Sequence, residues 1–352
     1  MITHDGEVDM SEQTLSHTTT TDAGSTPDTA VLEQMYRLMV TTTLADKRST
    51  EEAKAGRLQA AFYPVRGMEA VCAALGAVLT TEDRLVSTYR NLGDALAKGV
   101  TLRSIMAELY GRIDGTSKGK GGPMHLHDTA VGFMATTGIV GSGLPIAIGL
   151  ALANQLDGGG AATVVTFGDA ATSIGAYHEA MNFAALWKLP IVFICQNNQW
   201  GEHTPIAEYT PSVELAQRAS AYSMPAERVD GFDALATLHA IETAVERARR
   251  DEGPTFVECV TYRLTGHSGT ADFSYVPRDE LEAAMQRDPA PTFSTWLIDQ
   301  GLTTAERIDA LDREAEAYVV DAFQFAENSP LPDEDELFTD VFADDTWVRS
   351  VK

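Results

Sequence analysis

The chain has 352 residues, 44% of them hydrophobic, which is enough for a sizeable globular core. Its 51 acidic and 26 basic residues leave a net charge of −25, so nucleic acid and anionic membrane surfaces would repel it. No run of about eighteen apolar residues occurs, which excludes a spanning helix.

Residues 1–25 are polar, Thr-rich and acidic without apolar periodicity, and read as a disordered tail before one α/β domain over 26–352. The first Lys or Arg is Arg37, so neither a secretory signal nor an Arg-rich transit peptide is expected, and a cytoplasmic location is. Ser25-Thr26-Pro27-Asp28 predicts a helix start with Thr26 as cap and Pro27 at the first helical position, followed by the apolar face Val31, Leu32, Met35 and Met39. Helical segments continue through Ala95–Leu109, broken by Gly93 and Gly99. A glycine-dense loop, Gly111 to Gly122, leads into an irregular stretch to Thr137. Leu144–Leu152, apolar and rich in small residues, predicts a buried helix packed closely on a sheet. Ala162–Phe167 and Ile191–Cys195 read as strands around an amphipathic helix from Ile174 to Leu189, with Ile174, Tyr177, Met181, Ala184 and Ala185 on one side. Thr255–Tyr262 is a further strand entered through Gly253-Pro254, and Ala305–Ala326 a long amphipathic helix. Asp333-Glu334-Asp335-Glu336 reads as a solvated surface run, and no internal repeat is visible. Cys72, Cys195 and Cys259 sit in apolar surroundings and read as reduced core thiols.

Strand, helix, strand is a parallel crossover, and it brings the two strand exits, Thr166-Phe167-Gly168-Asp169-Ala170-Ala171 and Ile194-Cys195-Gln196-Asn197-Asn198-Gln199, to one edge of a sheet. Open α/β sheets bind ligands at that carboxyl edge. A carboxylate from Asp169 and an amide oxygen from Asn198 suit a hard cation such as Mg²⁺ that keeps other positions for water and phosphate oxygens. Ordinary turn chemistry accounts for the same two residues.

The spacing of Gly-Asp, about thirty residues of helix and strand, then Asn-Asn resembles the thiamine diphosphate fingerprint. Phe167 to Ala171 and Glu179 to Pro190 are similar, more narrowly, to the α subunit of 2-oxo acid dehydrogenase first components. The likeness runs in family order through Gly67-Met68-Glu69-Ala70, Tyr89-Arg90, Gly119 to His125 and Gly138-Ile139-Val140-Gly141 before the fingerprint. After it come Val229-Asp230-Gly231-Phe232-Asp233, Gly253-Pro254 and Thr261-Tyr262-Arg263 to Gly266-His267-Ser268, so that roughly residues 31–340 are covered.

The resemblance implies a thiamine-diphosphate-binding fold, a mostly parallel sheet flanked by helices, in a pyruvate or acetoin dehydrogenase. It implies Asp169, Asn198 and the main-chain carbonyl of Trp200 as Mg²⁺ ligands. Tyr89, Arg90, Gly168, Ala170 and Ala171 would lie against the diphosphate, and Gly138 and Val140 against the aminopyrimidine. His267 would be the catalytic loop histidine, and its near-neutral pKa suits proton movement or stabilisation of a forming oxyanion. An Arg fork matches phosphate oxygens, which matters in so acidic a chain. The carboxylate that activates the aminopyrimidine would come from a β subunit in an α2β2 heterotetramer, and a lipoyl-bearing acyltransferase would take the acyl group.

Four positions depart from the family pattern, the first being Trp200, which stands where the family usually has Tyr and matters little because its ligand would be a backbone oxygen. Ala170 stands where the fingerprint has Gly, so its methyl either crowds the diphosphate or needs a compatible backbone angle. Gly143, which follows Ser142, stands where pyruvate-type chains have Gln, and looks more like the acetoin branch. Tyr63 stands where pyruvate-type chains often have His, which leaves the 2-oxo acid open. His125 and His127 lack structural-zinc spacing, and the Gly115–Gly122 stretch fits neither the P-loop nor the dinucleotide pattern. Gly266-His267-Ser268-Gly269 is too short for a nucleophile elbow. Two rivals remain: a transketolase-like biosynthetic thiamine enzyme, and a degenerate α subunit that no longer catalyses.

Overall fold

Alternation along one strand explains the layout. In Ile191–Asn197, Ile191, Phe193 and Cys195 enter one apolar cluster, while Val192 and Ile194 enter another. A strand covered on both faces reads as a continuous apolar run, as this one does. The computed structural model describes residues 27–58 and 60–342.

Helices α1 (Thr29–Lys54) and α2 (Glu69–Val78) precede strand β1 (Arg84–Thr88), and α3 (Leu92–Ala97) and α4 (Leu102–Leu109) precede β2 (Phe133–Thr137). Then come α5 (Gly143–Leu156), β3 (Thr163–Gly168), α6 (Gly175–Trp187) and β4 (Ile191–Asn197). A small antiparallel pair, β5 (Trp200–Gly201) and β6 (Thr204–Pro205), is followed by α7 (Ile206–Tyr209), β7 (Ala226–Asp230), α8 (Ala234–Arg249) and β8 (Thr255–Val260). Helices α9 (Arg278–Met285), α10 (Pro289–Asp299) and α11 (Ala305–Asn328) complete the order. The main sheet runs β2-β1-β3-β4-β8-β7 and all its pairings are parallel, so every strand delivers its exit to one edge. Helices α5 and α6 cover one face, and α1 to α4, α8, α10 and α11 build the core on the other.

Several expectations change. The tail, residues 1–25, and Thr26 lie outside the described residues. Helix α1 is capped by Asp28, whose carboxylate accepts from the Ala30 N–H at 3.1 Å, and Pro27 precedes the helix. Gly93 lies inside α3 and breaks nothing; a Cβ there would sit 2.4 Å from Cys72 Sγ, so glycine lets α3 close on α2. The irregular stretch hides β2, a five-residue edge strand too short to show a period. Helix α5 buries Leu144, Ala147 and Ala151 but leaves Ile146 exposed, so only one of its sides is core. The three cysteines are free and buried, as read.

The acidic run is not simply solvated. Glu336, with nearby Asp340, pairs with Lys118 and Lys120 at 2.8–3.5 Å and ties the C-terminal segment to the glycine-rich loop. That loop is organised from within. Glu108, 1% exposed on α4, accepts from the N–H groups of Ser117, Gly119, Gly121 and Gly122 at 2.7–2.9 Å.

Candidate active site

At the carboxyl edge of the sheet a cavity of about 580 Å³ is lined by residues from the exits of β1, β2, β3, β4 and β8. Its wall contains every residue singled out from the sequence: Tyr89, Arg90, Gly138, Val140, Gly168, Asp169, Ala170, Ala171, Asn198, Trp200 and His267. It also contains Tyr209 and Arg263, to which the sequence assigned no role, and Tyr63, which departs from the family pattern.

Asp169 opens a short 3₁₀ turn, Asp169–Ser173, directly after β3 and is 1% exposed. Burial raises its carboxyl above the usual range, against the hydrogen bonds it receives. Its Oδ1 accepts the Asn198 N–H at 3.2 Å and its Oδ2 accepts the Tyr209 hydroxyl. The Asn198–Asp169 bond holds the β4 exit beside the β3 exit, and Asn198 Oδ1 in turn accepts the Trp200 N–H at 3.2 Å, which shapes the β4 exit itself. Among the described residues no group of three or more His, Cys, Asp or Glu could hold a metal. The side chains brought together here offer a carboxylate and an amide oxygen, hard donors whose chemistry fits Mg²⁺ rather than zinc.

Two buried guanidinium groups line the same cavity. Arg90 donates through Nη1 to the Pro64 carbonyl and through Nη2 to the His267 carbonyl at 3.1 Å. Burial lowers it to about 10, so it remains a cation at neutral pH. Arg263, 1% exposed, donates to the carbonyls of Glu202 at 2.6 Å and Thr265 at 3.3 Å, and to the Tyr275 hydroxyl. A Cβ placed on Gly168 would meet nothing within 4 Å, so the backbone there is open to the cavity. Two fixed cations, an accessible main chain and an oxygen-rich corner fit a metal-bound diphosphate.

Beneath the edge, buried Asp94 accepts from Ser87 and Thr166 at 2.6 Å and from Gln196 at 3.1 Å, joining β1, β3 and β4.

Ala170 fits its place. It lies in the 3₁₀ turn and is not among the residues of positive φ. A Cβ built on Gly201 would come 3.1 Å from the Ala170 methyl, so the methyl packs over Gly201. Ala170→Gly is therefore expected to leave cofactor affinity unchanged and to cost stability, by about 0.5–1 kcal/mol through backbone freedom. Calorimetric titration and urea unfolding check this, and tighter binding in the glycine variant would restore the crowding.

His267 packs edge-on against Tyr63 at 5.3 Å and Tyr89 at 6.0 Å between ring centroids. Its Nδ1 is buried without a hydrogen-bond partner. Its pKa is not near neutral: burial, Arg90, Arg263 and His203 push it down to about 4. The imidazole is thus neutral at pH 7, with one N–H donor and one acceptor nitrogen. Since the unfolded chain takes up this proton near the ordinary 6.5 and the folded chain only near 4, stability is lost as pH falls through that window. The thermal midpoint of cofactor-free protein should drop more steeply there than that of His267→Gln; parallel curves would contradict it.

A family model for the dehydrogenase E1 component matches residues 36–334. The chain belongs to that family. This E1 component is 37% identical over 309 residues to the α subunit of acetoin:2,6-dichlorophenolindophenol oxidoreductase of Bacillus subtilis, across 88% of this chain and 92% of the relative. It is 37% identical over 276 residues to the pyruvate dehydrogenase E1 component α subunit of Rhizobium meliloti, across 78% and 79% of the two chains. The bovine mitochondrial pyruvate dehydrogenase E1 α subunit, somatic form, is 34% identical over 312 residues, across 88% and 79%. Thiamine diphosphate chemistry is the frame this family brings to the cavity. No helix of this E1 component, among the described residues, is long and apolar enough to cross a membrane.

Proposed function

We propose that this E1 component is the α subunit of a thiamine-diphosphate-dependent 2-oxo acid or acetoin dehydrogenase, with residues 26–352 working as one domain in the cytoplasm. The observation that carries the reading is the single cavity that collects Tyr89, Arg90, Asp169, Asn198 and His267 at the carboxyl edge of a parallel sheet. In this reading Asp169, Asn198 and the Trp200 carbonyl hold Mg²⁺. Tyr89 and Arg90, joined by Arg263, face the diphosphate, with Gly168, Ala170 and Ala171 supplying backbone beside it. Gly138 and Val140 offer main-chain contacts to the aminopyrimidine. When bound, the cofactor supplies the electron sink for breaking a bond to a keto carbon. His267 contributes a neutral imidazole whose Nδ1 can hold or accept a proton beside the reacting groups.

What lines the cavity supports a partner. Its acids, among the described residues, are Asp169 and Glu202, and neither belongs to the Gly138–Gly141 loop. Ile139 and Val140 of that loop are 73% and 46% exposed, with Ile146 on α5 and Leu186 and Trp187 on α6 also open. Apolar exposure of this kind suits a subunit interface. We assign it to a β subunit that brings the activating carboxylate in an α2β2 assembly, with a lipoyl-bearing acyltransferase as acceptor.

The test is co-expression with a β partner and a screen of pyruvate, acetoin and branched 2-oxo acids with a dye acceptor. Turnover of one of them is the expected result. Transfer to an aldehyde acceptor without dye or lipoyl turnover would favour the transketolase-like rival, and cofactor binding with no turnover at all the degenerate one.

A further inference from the structure

We propose that Tyr209 is a positioning residue that aims the Asp169 carboxylate at its cation, an inference that rests on reading Asp169 as a cation ligand. Tyr209 ends the four-residue helix α7, and its ring lines the same cavity as Asp169. Its hydroxyl donates to Asp169 Oδ2 while the Asn198 N–H donates to Oδ1 at 3.2 Å. Two donors on different oxygens fix the carboxylate against rotation, and each oxygen keeps a further lone pair for a cation. Asp169 is 1% exposed, so these protein donors stand where water would otherwise orient the group.

Tyr209 is itself held. Ile206, the start of α7, is 5% exposed, and the next residue after the helix, Thr210, donates its N–H to the Ile206 carbonyl at 3.2 Å. Thr210 Oγ1 accepts from Arg218, whose Nη1 donates to both Thr172 oxygens at 2.9 Å. Helix α7 is thereby tied to the very turn that carries Asp169. Gly201 completes the seat: a Cβ there would come 3.2 Å from Tyr209 Cε1 and oblige the ring to give by a few tenths of an ångström. Outer partners of a ligating carboxylate set its orientation, and losing one typically weakens metal binding by about 10–100-fold.

The experiment is a Mn²⁺ titration by electron paramagnetic resonance at fixed thiamine diphosphate, on the full protein assembled with its β partner. Tyr209→Phe should weaken Mn²⁺ by about 10–100-fold while thiamine diphosphate affinity at saturating Mn²⁺ returns to the wild-type value, a split that general loosening of the fold would not produce. Unchanged or tighter Mn²⁺ binding overturns the proposal. A second measurement does not depend on that variant: the ultraviolet difference spectrum of wild type against Asp169→Asn should show a tyrosine band moved to the blue, because a phenol has lost a carboxylate acceptor. No such shift refutes the contact. If Asp169→Asn binds Mn²⁺ as wild type does, the underlying ligand assignment fails, whatever Tyr209→Phe shows.

Discussion

Asp169→Ala should abolish cation-dependent binding of thiamine diphosphate while the protein still folds. The carboxylate serves the fold and the cation in different ways. In the fold it accepts two hydrogen bonds, from the Asn198 N–H and the Tyr209 hydroxyl, at a strand exit and outside the apolar clusters. Leaving these donors without a partner costs about 1–3 kcal/mol, partly offset because a buried carboxylate no longer has to be desolvated. For the ligand, it is the charged member of the proposed oxygen set, and in a chain of net charge −25 the diphosphate depends on a neutralising cation. Trp200, 7% exposed in the cavity wall, is a built-in fluorescent reporter for the titration. Wild-type affinity in the variant would remove Asp169 from the metal site.

The second large effect concerns the chain on its own. Saturated with thiamine diphosphate and Mg²⁺ but without a β partner, it should turn over no 2-oxo acid. The groups it brings are cations and oxygen ligands for a diphosphate. The loop proposed to face the aminopyrimidine, Gly138–Gly141, offers backbone and exposed Ile139 and Val140 but no carboxylate. Adding the partner should restore turnover and raise the thermal midpoint of both chains, because association stabilises by mass action. In the assembled enzyme His267→Ala should lower turnover by about 10²–10⁴-fold, the usual contribution of a positioned acid or base. Steady turnover by a preparation free of β subunit would overturn the two-subunit reading and direct attention to Glu202, the other acid in the cavity.

Much of this was legible because apolar period and strand exits are local signals. Strands β3, β4 and β8 and helices α6 and α11 show up as runs and faces, and a parallel crossover obliges Asp169 and Asn198 to meet. Strands β2 and β7 were not legible. Both are edges of the sheet, and β7 reads Ala-Glu-Arg-Val-Asp, too polar for a buried strand. Tyr209 could not be read either. Its contact with Asp169 spans 40 residues and depends on how a hairpin and a four-residue helix fold back, which no period encodes. Arg263 stood inside a recognised motif, and an arginine following a buried strand was signal enough to suspect a second cation; its role becomes visible only when the carbonyls of Glu202 and Thr265 are seen to hold it. Burial of His267, with Arg90 and Arg263 beside it, lowers its pKa, so the free imidazole value misled.

The loop from Gly111 to Gly122 has the look of a phosphate cradle, and Glu108 explains why it does not serve as one. Its N–H groups converge as they would on an anion, but the anion is part of the polypeptide and never leaves. Such a loop is a lock with its key cast in place: the N–H groups of Ser117, Gly119, Gly121 and Gly122 are already satisfied from within the chain. What elsewhere would be a recognition element is here a fastening, and the cavity at the carboxyl edge of the sheet is the address proposed for the diphosphate.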